Sequence, residues 1–239
     1  MAMPTGNLLT WEQQLTVDGY VVIPQVVPDD DVLTCKSRLK RREVARAGTR
    51  TLLDEPWCAA LGQRLCKDAR LSPLLPHDAH VAQCTLFDKS LDRNWLVTLH
   101  QDLSIPVADR VESPLCAAWV AKEGVLHVQP PPAVLEDLLV LRMHLDDCDE
   151  NNGALRVVPG SHRAGRLSQA EAYRFRDEHG ERSLPVLRGS ALLMRPLLLH
   201  SSSRAVHDAP RRVLHFLIGP ALLPQGLRWP QSALDTVKT

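Results

Sequence analysis

The sequence predicts a mainly β protein with flanking helices, folded as an antiparallel double-sheet barrel. Its apolar segments are short and rich in β-branched residues, and the chain's 18 prolines are scattered between them, which is typical of strands joined by turns. Helix-capping patterns are few and lie mainly near the N-terminus. Such a series of strands favours a double-stranded β-helix of the jelly-roll or cupin-like type.

Length and composition limit the class of protein. The 239 residues suffice to bury a full-sized core, so residues 1–239 are predicted to form a single domain. Basic and acidic residues both number 28, so we expect neither nucleic acid nor a membrane as a partner. The chain shows no leader pattern and no long apolar run, which predicts a cytoplasmic protein. The six cysteines form no C-x-x-C pair and are predicted to be reduced thiols.

The first half of the chain contains a strand, a helix and two extended segments. Residues 18–24 combine a turn with a β-branched strand, and the acidic residues 29–31 cap a helix expected to run to Ala47 and stop at Gly48. These elements make up the predicted N-terminal helical flank. Residues 81–103 are predicted to form two extended segments around a polar loop at 88–94.

The second half alternates strands with turns and contains one surface helix. Ser168 and Glu171 have the spacing of a capping box and Gly180 is a typical helix stop, so a helix is predicted over 169–179. The other predicted elements are strands at 138–145 and 154–158, joined as a hairpin by a turn at 149–153, and strands at 190–199 and 211–218. An insertion near 121–136 is predicted to form a lid or a contact surface.

Three H-x-[DE] pairs are the first candidates for metal-binding residues. They are His100 with Asp102, His144 with Asp146, and His179 with Glu181. Ten histidines and 28 acidic residues in 239 positions predict about one such pair by chance, so the local context decides. Residues two apart in a strand share a face, so His100 and Asp102 can both point into a barrel. The third pair straddles a predicted helix stop and is set aside.

His200 is the best candidate for a third ligand, because it directly follows the apolar residues of the predicted strand at 190–199. Two histidines and one carboxylate on one face of the ion form the facial triad of non-haem ferrous oxygenases, which leaves positions open for oxygen and a chelating co-substrate. Closed structural zinc sites lack such positions. A rival set of His144, Asp146 and His200 remains open, and each histidine alone could be a hydrogen-bonded barrel residue.

Seven segments match one known family in order and spacing over nearly the whole chain. They are 18–24, 86–89, 94–95, 100–102, 152–162, His200 and 210–212. With them the sequence resembles the phytanoyl-CoA dioxygenase family of Fe(II)/2-oxoglutarate-dependent oxygenases. Carried over motif by motif, the resemblance implies that His100, Asp102 and His200 are the catalytic residues and the iron ligands.

The resemblance also implies a 2-oxoglutarate site. The family's arginine lies in the strand after the distal histidine, and its offset selects Arg211, with the adjacent Arg212 as an alternative. Its guanidinium would pair with the buried distal carboxylate of 2-oxoglutarate, and Ser202 matches a position that can hydrogen-bond the same group. Arg142 replaces an aromatic co-substrate contact of some relatives. It is therefore predicted to bind a carboxylate or the substrate, or else to form a salt bridge with Asp146.

The implied activity is oxidation of an unactivated C–H bond of a small molecule, such as a lipid, an amino acid or a secondary metabolite. Fe(II) is the implied metal, O2 and 2-oxoglutarate are the co-substrates, and hydroxylation with release of succinate and CO2 is the default outcome. The alternative is a cupin-like divalent-metal protein, an isomerase, hydrolase or binding module that does not use 2-oxoglutarate. A buried Arg211 beside the metal distinguishes the two.

Overall fold

The computed structural model describes residues 9–40, 48–90, 94–206 and 209–230, and it confirms the predicted mainly β barrel with flanking helices. The strands are β1 (Tyr20–Ile23), β2 (Gly48–Thr49), β3 (Ala79–Lys89), β4 (Val97–His100), β5 (Ile105–Pro106), β6 (Ala117–Lys122), β7 (Val125–Gln129), β8 (Leu139–His144), β9 (Leu155–Val157), β10 (Arg182–Leu184), β11 (Ala191–Met194), β12 (His200–Ser202) and β13 (Arg211–Pro220). The helices are α1 (Trp11–Val17), α2 (Asp29–Lys40), α3 (Pro56–Cys66), α4 (Pro132–Glu136) and α5 (Gln169–His179).

The strands form three antiparallel sheets. The large sheet has the order β1-β11-β8-β13-β3-β2, the small sheet the order β10-β9-β12-β4, and the third sheet the order β5-β7-β6. Alternate residues of the large sheet point to opposite faces, since the side-chain period of a strand is two residues. The sheet therefore contributes to two separate apolar clusters.

The outer cluster lies between the large sheet and the N-terminal helices. Phe216 of β13 is fully buried there in one cluster with Leu15 of α1, Val32 of α2 and Leu61 of α3. These helices form the predicted N-terminal helical flank. They cover the outer face of the sheet, so that this face does not need to carry polar residues.

The inner cluster lies between the sheets and forms the interior of the barrel. It joins Val140 of β8 and Leu217 of β13 to Val157 of the small sheet and Val128 of the third sheet. The residues of the candidate site lie on this inner face of the large sheet and on the small sheet opposite.

Two predictions about the N-terminal half need correction or fall partly outside the structure. Gly48 is not a helix stop, because it begins β2, where a Cβ atom would lie 2.0 Å from the carbonyl oxygen of Leu86. The predicted end of the preceding helix falls in 41–47, outside the described residues. Asp102 lies just beyond the end of β4 rather than within the strand.

The hairpin predicted from residues 138–158 is wrong. β8 belongs to the large sheet and β9 to the small sheet, so the turn at 149–153 carries the chain from one sheet to the other. The predicted strand at 190–199 is likewise interrupted. β11 ends at Met194, and residues 195–199, here called the crossover, lead to β12 in the small sheet. The helix predicted at 169–179 is confirmed as α5, with its capping box.

The insertion predicted near 121–136 comprises the turn between β6 and β7, strand β7 and helix α4. Its part as a lid stays a prediction, as does the single-domain organisation. The cysteines are free, as predicted. Within the described ranges, no helix combines the length and the hydropathy needed to cross a bilayer.

Candidate metal centre

His100 and His200 face each other across two neighbouring strands of the small sheet. They are paired residues of β4 and β12, and their ring centroids are 4.2 Å apart. Asp102 follows β4 and places Oδ1 3.7 Å from Nε2 of His100 and Oδ2 3.7 Å from Nε2 of His200. One ligand atom from each side chain lies within 4.8 Å of the others. The three predicted ligands therefore come together.

Hydrogen bonds to the backbone set the orientation of both imidazoles. Nδ1 of His100 lies 2.8 Å from the carbonyl oxygen of Thr98, and Nδ1 of His200 lies 2.8 Å from that of Leu198. A carbonyl can only accept, so Nδ1 is the protonated nitrogen in both rings. The Nε2 lone pairs are then free and lie beside Asp102, as metal coordination requires.

The electrostatics of Asp102 fit a bound cation. Its Oδ2 atom is buried and accepts no hydrogen bond from the described residues. Burial would raise the pKa of Asp102, but its interactions with the imidazoles of His200, His100 and His215 hold it well below its usual range. Burial lowers the pKa of His200 to about 4, so this ring is neutral at pH 7. An ionised carboxylate beside two imidazole Nε2 atoms is a donor set suited to a divalent ion.

The crossover holds the ligand residues in place. Its successive carbonyl oxygens accept hydrogen bonds from the Asp102 amide (Pro196, 2.8 Å), the Gln101 side chain (Leu197, 2.7 Å) and the His200 ring (Leu198, 2.8 Å). Gln101 is buried and also accepts from the Leu167 amide at 2.9 Å. The ligand positions are thus fixed mainly by backbone groups.

The rival ligand set does not form. Asp146 accepts two hydrogen bonds from the Arg212 guanidinium, at 2.8 and 2.9 Å, and forms an ion pair with Lys36 at 2.6 Å. Both ring nitrogens of His144 are buried without a hydrogen-bond partner among the described residues. The predicted salt bridge between Arg142 and Asp146 is also wrong, because Arg212 occupies the carboxylate.

Three cations are buried close to the candidate metal ligands. Arg211, Arg142 and Lys89 have exposed fractions of 3%, 5% and 0%, and none forms an ion pair with a carboxylate in the described part of the chain. The Nε atoms of both arginines also lack hydrogen-bond partners there. Burial lowers the pKa of Arg142 to about 10 and that of Lys89 to about 8. Uncompensated buried charge is costly, so the cluster is suited to an anionic ligand.

The register of β13 places the two adjacent arginines on opposite faces of the strand. Arg211 pairs with Lys89 and points into the barrel, whereas Arg212 points outward to Asp146. Lys89 donates to Ser202 Oγ at 3.2 Å and to the Ser203 carbonyl at 2.7 Å. Ser202, Lys89 and Arg211 thus form one polar cluster. Lys89 is not part of the loop predicted at 88–94, because it ends β3.

His215 is a site residue that the sequence did not indicate. Burial lowers its pKa to about 3, and its Nδ1 lies 3.1 Å from Nη1 of Arg142. Arginine can only donate, so Nδ1 accepts and the Nε2–H group faces Asp102 Oδ2 at 3.9 Å. The sequence did contain one signal for His215. Side chains alternate between the two faces of a strand, so His215, four residues after Arg211, lies on the same face as Arg211.

A cavity of about 300 Å³ opens beside His100, Asp102 and His215. Its other lining residues include the apolar side chains of Leu103 and Leu217. Polar groups of β3, β6 and β7 line another part of the wall. Space for a small molecule is therefore available next to the candidate ligands.

Comparisons with known proteins agree with this geometry. The family model for phytanoyl-CoA dioxygenase matches residues 15–213. No curated protein matches the chain.

Solved structures share the fold at low sequence identity. The non-haem α-ketoglutarate-dependent epimerase SnoN from nogalamycin biosynthesis is 16% identical with a TM-score of 0.66, covering 94% of this chain and 86% of its own. The carbocyclase SnoK from the same biosynthesis is 16% identical with a TM-score of 0.65, covering 98% and 92%. HygX from Streptomyces hygroscopicus, with nickel, 2-oxoglutarate and hygromycin B bound, is 22% identical with a TM-score of 0.61, covering 90% and 88%.

Proposed function

The chain belongs to the phytanoyl-CoA dioxygenase family, and from this premise we propose that it is a ferrous-iron- and 2-oxoglutarate-dependent oxygenase that hydroxylates a small molecule. Proteins of this family use Fe(II), 2-oxoglutarate and O2. The observation that carries the proposal is the convergence of His100, Asp102 and His200 beside buried cations that have no acidic partner within the described ranges.

His100, Asp102 and His200 would hold the iron. Two Nε2 lone pairs and the unpartnered Asp102 oxygen provide the donors of a facial triad. When bound, iron and 2-oxoglutarate together supply the oxidation of a C–H bond by O2, with release of succinate and CO2. His200 is buried, whereas His100 and Asp102 are half-buried and face the cavity.

Arg211 and Ser202 would bind the distal carboxylate of 2-oxoglutarate. The Arg211 guanidinium offers the planar donor pair that a carboxylate accepts, and Lys89 adds charge at the same place. Arg142 supplies a further positive charge near Asp102 and is held by His215. The dianionic co-substrate would neutralise this cluster, which supports 2-oxoglutarate over a metal-only protein.

Hydroxylation is the proposed outcome, and its product must be identified directly. SnoN is described as an epimerase and SnoK as a carbocyclase, so proteins with this fold catalyse reactions other than hydroxylation. HygX was solved with hygromycin B, a small molecule, and this supports a small-molecule substrate here. Mass spectrometry of the product distinguishes the outcomes, since hydroxylation adds one oxygen atom and ring closure removes two hydrogen atoms.

Anaerobic titration of the metal-free protein with ferrous iron and 2-oxoglutarate tests the proposal. We expect a visible metal-to-ligand charge-transfer band in the wild type that is lost in His100→Ala and kept in His144→Ala. Arg211→Ala should weaken 2-oxoglutarate binding, whereas the matched Arg212→Ala should not, because Arg212 points outward. Bound metal without a band in the wild type would favour the cupin-like alternative.

A further inference from the structure

Lys122, at the end of β6, is a cation of the cavity wall without an acidic partner. Its Nζ donates to Ser104 Oγ at 3.1 Å, and no carboxylate of the described residues lies within ion-pair distance. Burial and the nearby charge of Arg50 lower the pKa of Lys122, which agrees with a cation held partly out of water. An anion beside Nζ would relieve both effects.

The acidic residue next to Lys122 in the chain, Glu123, already has other partners. Glu123 accepts from Arg50 Nη1 at 3.1 Å, from the Arg50 amide at 2.9 Å and from Thr49 Oγ1 at 2.8 Å. Its carboxylate therefore neutralises Arg50, and Glu123 does not line the cavity. Asp102 is the acidic residue among those that line it, and we assign Asp102 to the metal. Lys122 thus gives the cavity an uncompensated positive charge.

The location of Lys122 connects this charge to the candidate metal centre. Ser104, its hydrogen-bond partner, lies two residues after Asp102 on the segment that follows β4. The proposed 2-oxoglutarate cluster is separate, because Arg211 begins β13 and Lys89 ends β3 near Ser202, and neither residue lines the cavity. A ligand bound to Lys122 would therefore lie beside the metal and leave the co-substrate's place free.

Polar side chains also line the cavity that Lys122 borders. Gln83 donates to Thr85 Oγ1 at 2.9 Å, and its Oε1 atom lies 2.9 Å from Nε2 of His127. Gln129 accepts from Arg166 and presents the rest of its amide to the cavity. These groups favour a substrate that carries polar groups of its own.

We propose that the substrate is a small organic oxyanion, a carboxylate or phosphate, whose acidic group pairs with Lys122. This inference rests on the proposed function and names its substrate class. The polar wall would bind hydroxyl or amide groups of the same molecule. A neutral lipid would leave Lys122 without an anionic partner.

Calorimetric titration of the anaerobic protein, saturated with ferrous iron and 2-oxoglutarate, tests the substrate class. The probes are benzoate, phenyl phosphate and benzyl alcohol, which have one body and three head groups. We expect at least one acid to bind and the alcohol to bind at least about tenfold more weakly, as loss of a charge-assisted hydrogen bond implies. The stronger of the two acids identifies the head group.

Lys122→Met should reduce the affinity for the acid about tenfold, whereas Lys122→Arg should retain that affinity. Lys67→Met is the control, because Lys67 is exposed and its replacement should not change acid binding. The charge-transfer band and the melting temperature should stay unchanged in all three variants, which shows that they are folded. Any one of four results would overturn the inference. With the wild type, these are equal binding of acid and alcohol, or failure of both acids to bind up to their solubility limit. With the variants, they are unchanged acid binding by Lys122→Met, or an equal loss of acid binding in Lys122→Met and Lys122→Arg. Absence of the band in the wild type would instead count against the proposed function.

Discussion

Arg142 and His215 act on Asp102 through a chain of defined donors. Arg142 donates to His215, so the N–H group of His215 faces the Asp102 oxygen that no other described residue binds. At 3.9 Å this contact is longer than a hydrogen bond, and it acts as a dipole directed at the carboxylate. His215 is therefore a positioning residue for Asp102.

Replacing His215 by Leu should weaken metal binding by about ten- to a hundredfold, the usual effect of removing a group that orients a ligand. His215→Gln keeps an N–H donor and should lose less affinity. Titration calorimetry with ferrous iron under anaerobic conditions, without 2-oxoglutarate, measures both variants. Equal affinities for the wild type and His215→Leu would show that Asp102 needs no such support.

The ionisation of Lys89 makes the stability of the ligand-free protein vary with pH in the alkaline range. Its folded pKa of about 8 lies below the ordinary value of 10.5, so between these values the unfolded chain binds the proton and the folded chain does not. Stability from this group therefore rises as the pH increases from about 8 to about 10.5. We expect wild type to gain on the order of 1 to 3 kcal/mol over this range relative to Lys89→Met.

Urea unfolding of the two proteins at several pH values measures that difference. Other groups titrate in the same range, so the comparison with Lys89→Met is the meaningful quantity. Parallel pH profiles would mean that Lys89 is not buried as a cation. At saturating 2-oxoglutarate, the stability difference between the wild type and Lys89→Met should vary less with pH, because the co-substrate would provide a counter-charge for Lys89.

At the scale of elements, Asp146 joins three parts of the fold. It follows β8 and binds Arg212 of β13 and Lys36 of α2, which fixes the helical flank to the outer side of the large sheet. Its burial raises its pKa, but the hydrogen bonds from Arg212 and Lys36 lower it below the usual 3.8. The contribution to stability is therefore present above about pH 4 and is lost as the pH falls through the folded pKa.

Asp146→Asn should lower the free energy of unfolding by about 2 to 4 kcal/mol at pH 7, because two cations lose their partner. The difference from wild type should shrink as the pH falls below about 4, because the carboxyl group is protonated in the unfolded chain before it is protonated in the folded protein. Chemical denaturation at pH 7 and pH 3 measures it. Asp177→Asn is the control, since its exposed pair with Arg176 should contribute less than about 1 kcal/mol.

The sequence predicted elements well where the signal was local. The capping box at Ser168 gave the limits of α5, because both of its bonds are made within one helical turn. The hairpin failed because alternation shows which residues are buried but not which sheet covers them. The interruption after Met194 was hidden for a similar reason, since all but one of the residues 190–199 are buried.

The residues of the candidate site also divide into those indicated by local sequence and those whose role depends on strand pairing. His100, Asp102 and His200 were found from spacing together with a family resemblance. Lys89 was assigned to a loop because a lysine rarely lies in a fully buried strand. His215 was missed because its role depends on Arg142 of a neighbouring strand, and strand pairing was not known from the sequence.

At the scale of the whole molecule, the large sheet lies between the candidate site and the helical flank. The outer cluster holds the helical flank, and the inner cluster surrounds the candidate site. Phe216→Ala opens a cavity in the outer cluster and should cost about 3 to 5 kcal/mol of stability. Iron and 2-oxoglutarate affinities should change little, since His215 and Leu217 on the inner face are kept.

Thermal unfolding and the charge-transfer titration test this separation together. Leu222→Ala is the control, because Leu222 is 84% exposed and its truncation should change stability by less than about 0.5 kcal/mol. A loss of 2-oxoglutarate affinity in Phe216→Ala, measured well below its melting temperature, would show that the two faces are coupled.

The crossover also has a consequence for the order of folding events. Its carbonyl oxygens orient Asp102, Gln101 and His200, yet the segment itself exists only once the chain has passed from the large sheet to the small one. The small sheet and the segment after β4 carry all three ligands, but the crossover that orients them joins this sheet to the large sheet. During refolding, high-affinity capture of the metal should therefore be a late event, whose rate reports the docking of the two sheets.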